Sequence, residues 1–133
     1  MKKYTDKEIF DIITEYVELS DDTRNYKKSN RLFDKLSKIK IDLSNNEAER
    51  ALYIMNSLLD FANLAQAFYG ALWALNCNYK REKALEIISK MSGDNNFRAT
   101  RFTACITLDM INGKFGGWKR NEKYPDLSKY EFH

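Results

Sequence analysis

Residues 49–58 read ERALYIMNSL and residues 82–91 read EKALEIISKM. A shift of 33 residues aligns 49–76 with 82–109 without gaps. Glu49 then falls on Glu82, Ala51 on Ala84, Leu52 on Leu85, Ile54 on Ile87, Ala71 on Ala104 and Leu75 on Leu108. Similar side chains fill the places between: Arg50 with Lys83, Met55 with Ile88, Leu58 with Met91, Leu64 with Phe97, Leu72 with Cys105. The matched positions are mostly apolar and helically spaced. A helix pair that is apolar on two sides cannot hide both alone, so it stacks on a second pair. Short links between helices make neighbours antiparallel. The expected fold is therefore all-α, a short right-handed stack of antiparallel helical hairpins (HEAT-like) with about six helices. An ordinary helical bundle carrying a chance echo is the alternative.

Outside the repeat the same spacing continues. Ile9, Ile12, Ile13, Tyr16, Val17 and Leu19 predict a helix over 6–19. Leu32, Phe33, Leu36, Ile39 and Leu43 predict a second over about 24–43. Ser20-Asp21-Asp22-Thr23 separates the two, because short polar side chains accept hydrogen bonds from free backbone N–H groups. Ser44 or Asn45 is the expected N-cap of a third helix over about 46–60, followed by a fourth over 62–76 and a fifth over 79–92. Gly93 is expected to end the fifth helix in a left-handed conformation. Asp94 or Asn95 is the expected cap of a sixth helix that closes at Gly113. Gly70, with Ala67, Ala71 and Ala74, makes a small-residue strip suited to close helix packing. Residues 1–133 read as one domain, with an irregular C-terminal tail over 114–133. The tail's aromatics (Phe115, Trp118, Tyr124, Tyr130, Phe132) are expected to pack down on the helices.

Composition narrows the class. The chain is 44% hydrophobic and 31% charged, with a single Pro and five Gly. That is an ordinary composition for a folded domain, and the scarcity of breakers favours long helices. The cysteines, Cys77 and Cys105, fit no metal or redox spacing and are expected to be reduced. No run reaches membrane-spanning length, and the N-terminus is a poor signal peptide, so no membrane partner and a cytoplasmic location are expected. Net charge is only +3, but it is unevenly laid out. Asp6 to Asp22 holds seven acids and one lysine, whereas Arg24 to Lys40 holds seven bases and one acid. Two helices packing with complementary charge is the simpler reading; two separate binding surfaces is the other.

The stretch NRLFDKLSKIKIDL (30–43), a repeat-forming core, and FRATRFTACITLDMINGKF (97–115) together resemble a bacterial family known as domain of unknown function 2019. Asn30, Leu32, Phe33, Asp34 and Leu36 match its opening N-x-L-F-D-x-L helix, and the resemblance covers about 25–115. The family's middle helix is usually entered through Asn-Pro and Val-Arg; here Phe61, Ala62, Asn63 and Gln66 stand there. The resemblance implies a short HEAT-type solenoid and an immunity-type protein that neutralises a cognate toxin.

Catalytic chemistry finds little support in the residues. The only His is His133, at the chain end, and Cys105 lies on an apolar stripe. Glu15 with Glu18, and Glu82 with Glu86, are helically spaced carboxylates, but basic neighbours mark them as a solvated face. Gly113, Gly116 and Gly117 follow a helix instead of opening one, which does not suit a phosphate loop. No enzyme, no metal and no cofactor are expected. Two binding functions remain. The first is protein binding, with an immunity protein against a bacterial toxin as the specific form. Its candidate contacts are the acidic residues Asp11, Glu15 and Glu18 on the first helix, and Gln66, Tyr69, Trp73, Arg98, Arg101 and Asp109 off the shared stripe. Filling of the core by Tyr69 and Trp73 is the competing reading. The second is nucleic-acid binding through Arg24, Lys27, Lys28, Arg31, Lys35 and Lys38, and through Lys114, Lys119, Arg120 and Lys123. A scaffold role is the remaining possibility.

Overall fold

The computed structural model describes residues 3–132, the side chains of Thr23 and Phe132 excepted; His133 lies outside the described residues. Six α-helices account for the fold: α1 (Asp6–Leu19), α2 (Tyr26–Asn46), α3 (Ala48–Leu59), α4 (Leu64–Asn76), α5 (Arg81–Ser92) and α6 (Ala99–Ile111). There is no strand among the described residues. Each helix packs on its successor, and α1 also reaches across to α3 and α4. The result is the expected stack of helices.

The duplication seen in the sequence is physical in the first helix of each pair, whereas the second helices, α4 at 64–76 and α6 at 99–111, are offset by 35. Helices α3 and α5 start at 48 and 81 and end at 59 and 92, so the offset is 33 at both ends. Ala51, Ile54, Met55 and Leu58 are buried in α3, and their counterparts Ala84, Ile87, Ile88 and Met91 are buried in α5. In the second helices, Ala71 and Ala104 are both buried. The small-residue strip packs α4 tightly on α3. A Cβ placed on Gly70 would stand 2.6 Å from the Cβ of Leu58, closer than carbon atoms approach.

Capping explains most boundaries. Thr5 forms a capping box with Glu8, their side chains each bonding the other's backbone N–H, and so starts α1. Asp22 holds the following turn by accepting from Arg24 N–H. Asn63 accepts from Gln66 N–H and starts α4.

Three boundaries differ from expectation. Helix α2 does not stop near Leu43 but runs through Asn46, and only Glu47 separates it from α3. Ser44 is therefore not a cap; it is a buried residue of α2 whose hydroxyl accepts from the Trp73 indole at 2.9 Å. Helix α6 begins later than Asp94 or Asn95, at Ala99. Its cap comes from a distant residue: the Asp21 carboxylate accepts from the N–H groups of Arg98 and Thr100. Gly93 ends α5 with φ −104°, outside the left-handed region, whereas Gly113 is left-handed at φ +96°. Phe33, placed on the α2 stripe by spacing, is instead 49% exposed.

The tail packs down. Tyr124 and Leu127 enter the core, and Trp118 and Tyr130 pack against it, while Phe115 is exposed. Arg120 donates to the carbonyls of Asn76 and Tyr124, and Leu127 N–H donates to the Cys77 carbonyl. These bonds satisfy the carbonyls left free where α4 ends.

Candidate binding cleft

Helices α1, α2, α4 and α6 leave a cleft of about 150 Å³ between them. Tyr16, Val17 and Ser20 come from α1 and the residue after it. Phe33 and Lys40 come from α2; Ala65, Phe68, Tyr69 and Leu72 from α4; Ala99, Thr100 and Thr103 from α6. The end of α1 is held to the start of α6. Asp21 bonds both the N–H and the hydroxyl of Thr100 at 2.9 Å, and the Ser20 and Thr100 hydroxyls lie 3.3 Å apart.

The cleft contains a buried ammonium. Lys40 is only 8% exposed, and its Nζ lies 4.4 Å from the centre of the Tyr69 ring and 6.0 Å from that of Tyr124. No carboxylate pairs with it among the described residues. Ring faces attract a cation but replace only part of its lost hydration. Burial therefore lowers the Lys40 pKa to about 8, with the nearby Cys77 pulling the other way. Tyr69 is 6% exposed, and its hydroxyl is buried with no hydrogen-bond partner among the described residues. Burial first, then the neighbouring Tyr124 and Tyr16, raises the Tyr69 pKa. Tyr16 meets Tyr69 edge-on at 5.6 Å between ring centres, and burial raises its pKa too.

The sequence-selected residues divide sharply. Trp73 does not lie on an outer face. It is 0% exposed, and its indole is held by Ser44, so the core-filling reading holds for it. Tyr69 is likewise buried, although it lines the cleft. Gln66 is half-buried and donates to the Thr14 hydroxyl at 2.9 Å, tying α4 to α1. Asp11, Glu18, Arg98 and Arg101 are exposed. Asp11 pairs with Lys7 at 2.9 Å, and Arg101 donates to Asn95 at 3.3 Å. Glu15 bridges to Lys28 of α2 at 2.7 Å, an ion pair between the acidic and basic helices. Asp109 faces Lys114 at 3.7 Å, at the far end of α6 from the cleft. These residues do not converge on one site.

Cys77, in the turn after α4, is fully buried, and burial pushes its pKa up to about 11. Both cysteines are free thiols. Glu82 and Glu86 are exposed, and Glu86 pairs with Lys90 at 3.4 Å, as expected of a solvated face.

Lys40 escaped the sequence reading although its signal was present. It follows Leu36 by four residues and precedes Leu43 by three, which puts a lysine on the apolar stripe of α2. No helix among the described residues is long and apolar enough to cross a membrane. No family model, curated protein or solved structure matches the chain.

Proposed function

We propose that the protein is a binding module that docks another protein across the face where the cleft opens. The observation that carries this reading is the exposure of two phenylalanines on helices that line the cleft, one of them at the cleft itself. Phe33, 49% exposed, stands at the cleft on α2 against Tyr16, with 6.1 Å between ring centres. Phe102, 67% exposed, stands on α6, the helix whose Ala99, Thr100 and Thr103 line the cleft. Large apolar side chains beside a concavity are the usual anchors of protein interfaces. The acidic α1, with Asp11 and Glu18 exposed, favours a partner with a basic surface. The reading as a binder instead of an enzyme also fits Cys77, whose raised pKa is the opposite of what a nucleophilic thiol needs.

The narrower reading, an immunity protein that neutralises a cognate bacterial toxin inside the cell, draws its support from the resemblance around Asn30–Leu36. Co-expression with a toxin domain encoded beside the gene tests it. A stoichiometric complex of nanomolar affinity is expected, and Phe33→Ala and Phe102→Ala should each weaken it by about tenfold or more. Binding left intact by both substitutions removes this face from the interface.

One observation favours nucleic acid as the second reading. Lys27, Lys28, Arg31, Lys35 and Lys38 recur at helical spacing and are exposed along α2, with Arg24 exposed in the turn before it, although Arg24 pairs with Asp22 and Lys28 with Glu15. The second basic group is less available, because Arg120 is engaged with backbone carbonyls and Lys114 with Asp109. Duplex binding that weakens by about tenfold or more between low and physiological salt would decide for this reading.

A further inference from the structure

Three features of the cleft, taken together, specify a ligand. Its walls are mostly apolar, built by Val17, Phe33, Ala65, Phe68 and Leu72, and the hydroxyls of Ser20, Thr100 and Thr103 that also line it already have partners within the chain. Its volume of about 150 Å³ is that of an apolar cavity able to take a benzene ring, and lies below the ~300–1,000 Å³ of pockets for larger ligands. Lys40, 8% exposed, also lines it, with an ammonium that no carboxylate pairs with among the described residues; the Tyr69 ring lies against that ammonium, while the Tyr69 hydroxyl is closed off from the cleft.

The groups around Lys40 leave its charge uncompensated. Tyr69 faces it from α4, Tyr124 from the tail, and Cys77 from the turn after α4. Burial raises the pKa of all three, to about 12 for Tyr124 and about 11 for Cys77, so none is an anion at neutral pH. A buried cation without an anion is costly, and a ligand that brings the anion relieves that cost.

We infer that the cleft binds a free small monocarboxylate with an apolar body about the size of a benzene ring, its carboxylate set against the Lys40 ammonium. One ammonium matches the single charge of a carboxylate. Phosphate would bring further charge, and Lys40 is the one charged residue among the described residues that line the cleft. The site shares Phe33 with the proposed docking face, but its test needs no protein partner.

The test is titration of the full chain with benzoate, benzyl alcohol and inorganic phosphate, followed by calorimetry and by chemical shifts of cleft residues. Benzoate should bind at least about tenfold more tightly than its neutral isostere benzyl alcohol, the effect of a charge-assisted hydrogen bond. Lys40→Met should weaken benzoate by about tenfold or more. Benzoate should also raise the Lys40 pKa, because an anion favours the charged amine. Equal affinity for benzyl alcohol, tighter binding of phosphate, unchanged benzoate affinity in Lys40→Met, or no benzoate-dependent shifts in the cleft would each overturn the assignment. If Lys40→Met does not fold, the benzyl alcohol comparison and the benzoate-dependent shifts of cleft residues in the natural chain decide it.

Discussion

At the scale of single residues, two buried polar groups on α2 have opposite energetic consequences. Ser44 is satisfied. It accepts from the Trp73 indole at 2.9 Å, and the Cys77 sulfur lies 3.7 Å from its oxygen. Ser44→Ala leaves a fully buried indole N–H without an acceptor, so a loss of about 1–3 kcal/mol is expected, read as a lower urea midpoint at unchanged slope. Lys40 is the reverse case, a charge held where its own fold disfavours it. Its pKa falls from 10.5 to about 8 on folding. Between those values the unfolded chain holds a proton that the folded chain has lost, so folding gains stability as pH rises through the window. Below about 8 both states are protonated, and the burial penalty is present in full, on the order of 3 kcal/mol. Lys40→Met should therefore stabilise the protein at pH 7, by about 1–3 kcal/mol once lost contacts with Tyr69 are counted. That advantage should shrink as pH is raised from 8 to 10.5. A gap between the two proteins that stays constant over this range would count against an unpaired ammonium in the core.

At the scale of elements, the tightest contact is that of α3 with α4, where Gly70 lets two backbones approach. Gly70→Ala gains about 1 kcal/mol in helix propensity. It also puts a methyl group 2.6 Å from the Cβ of Leu58, an atom that cannot swing aside because it is fixed to the backbone. The clash should win, with a net loss of about 1–3 kcal/mol in chemical denaturation. A neutral or stabilising result would mean that the helices part without cost. This contact, the six helices and the 33-residue offset between α3 and α5 were all legible in the sequence, because burial at three- and four-residue spacing leaves a periodic trace. The misplaced boundaries share one cause. Asp21, which caps α6 from nearly eighty residues away in the chain, and Ser44, which pairs with Trp73 across helices, act through tertiary contacts that local sequence does not record. The Tyr69 and Trp73 assignments failed for a related reason. Spacing says that a residue lies off one stripe, but α4 is packed by α1 and α2 on a second side, so off the stripe is still inside.

At the scale of the whole molecule, the C-terminal tail closes the stack where α4 and α5 meet. Its anchors are spread over several elements. Asn45 on α2 donates to the Lys123 carbonyl at 2.9 Å, Asn76 at the end of α4 accepts from Asn121 N–H at 3.0 Å, and Leu127 N–H reaches the Cys77 carbonyl at 2.7 Å. Glu131 accepts from the N–H of Lys80, a residue held at φ +46° just before α5. A left-handed conformation is costly for any residue but glycine unless its surroundings fix it, so the tail helps set the entry of the second repeat. Tyr124 and Leu127 meanwhile cover core residues and complete the ring faces around Lys40. The expectation that the tail packs down came from its aromatics alone; which surface it covers was not readable, because most of the bonds that hold it have a backbone group, which any residue supplies, at one end. Ending the chain after Gly117 should uncover the turn at Cys77, whose thiol is fully buried in the intact protein. The observable is the rate of thiol modification under native conditions. In the full chain Cys77 should react only through global or large local opening, whereas in the shortened chain it should react faster by about a hundredfold or more, as expected if a few kcal/mol of protection are lost. Cys105, far from the tail's anchors and only half-buried, serves as the internal reference and should keep its rate. Equal acceleration of both thiols would show that the stack itself had loosened, and no acceleration of either would show that the helices bury Cys77 unaided.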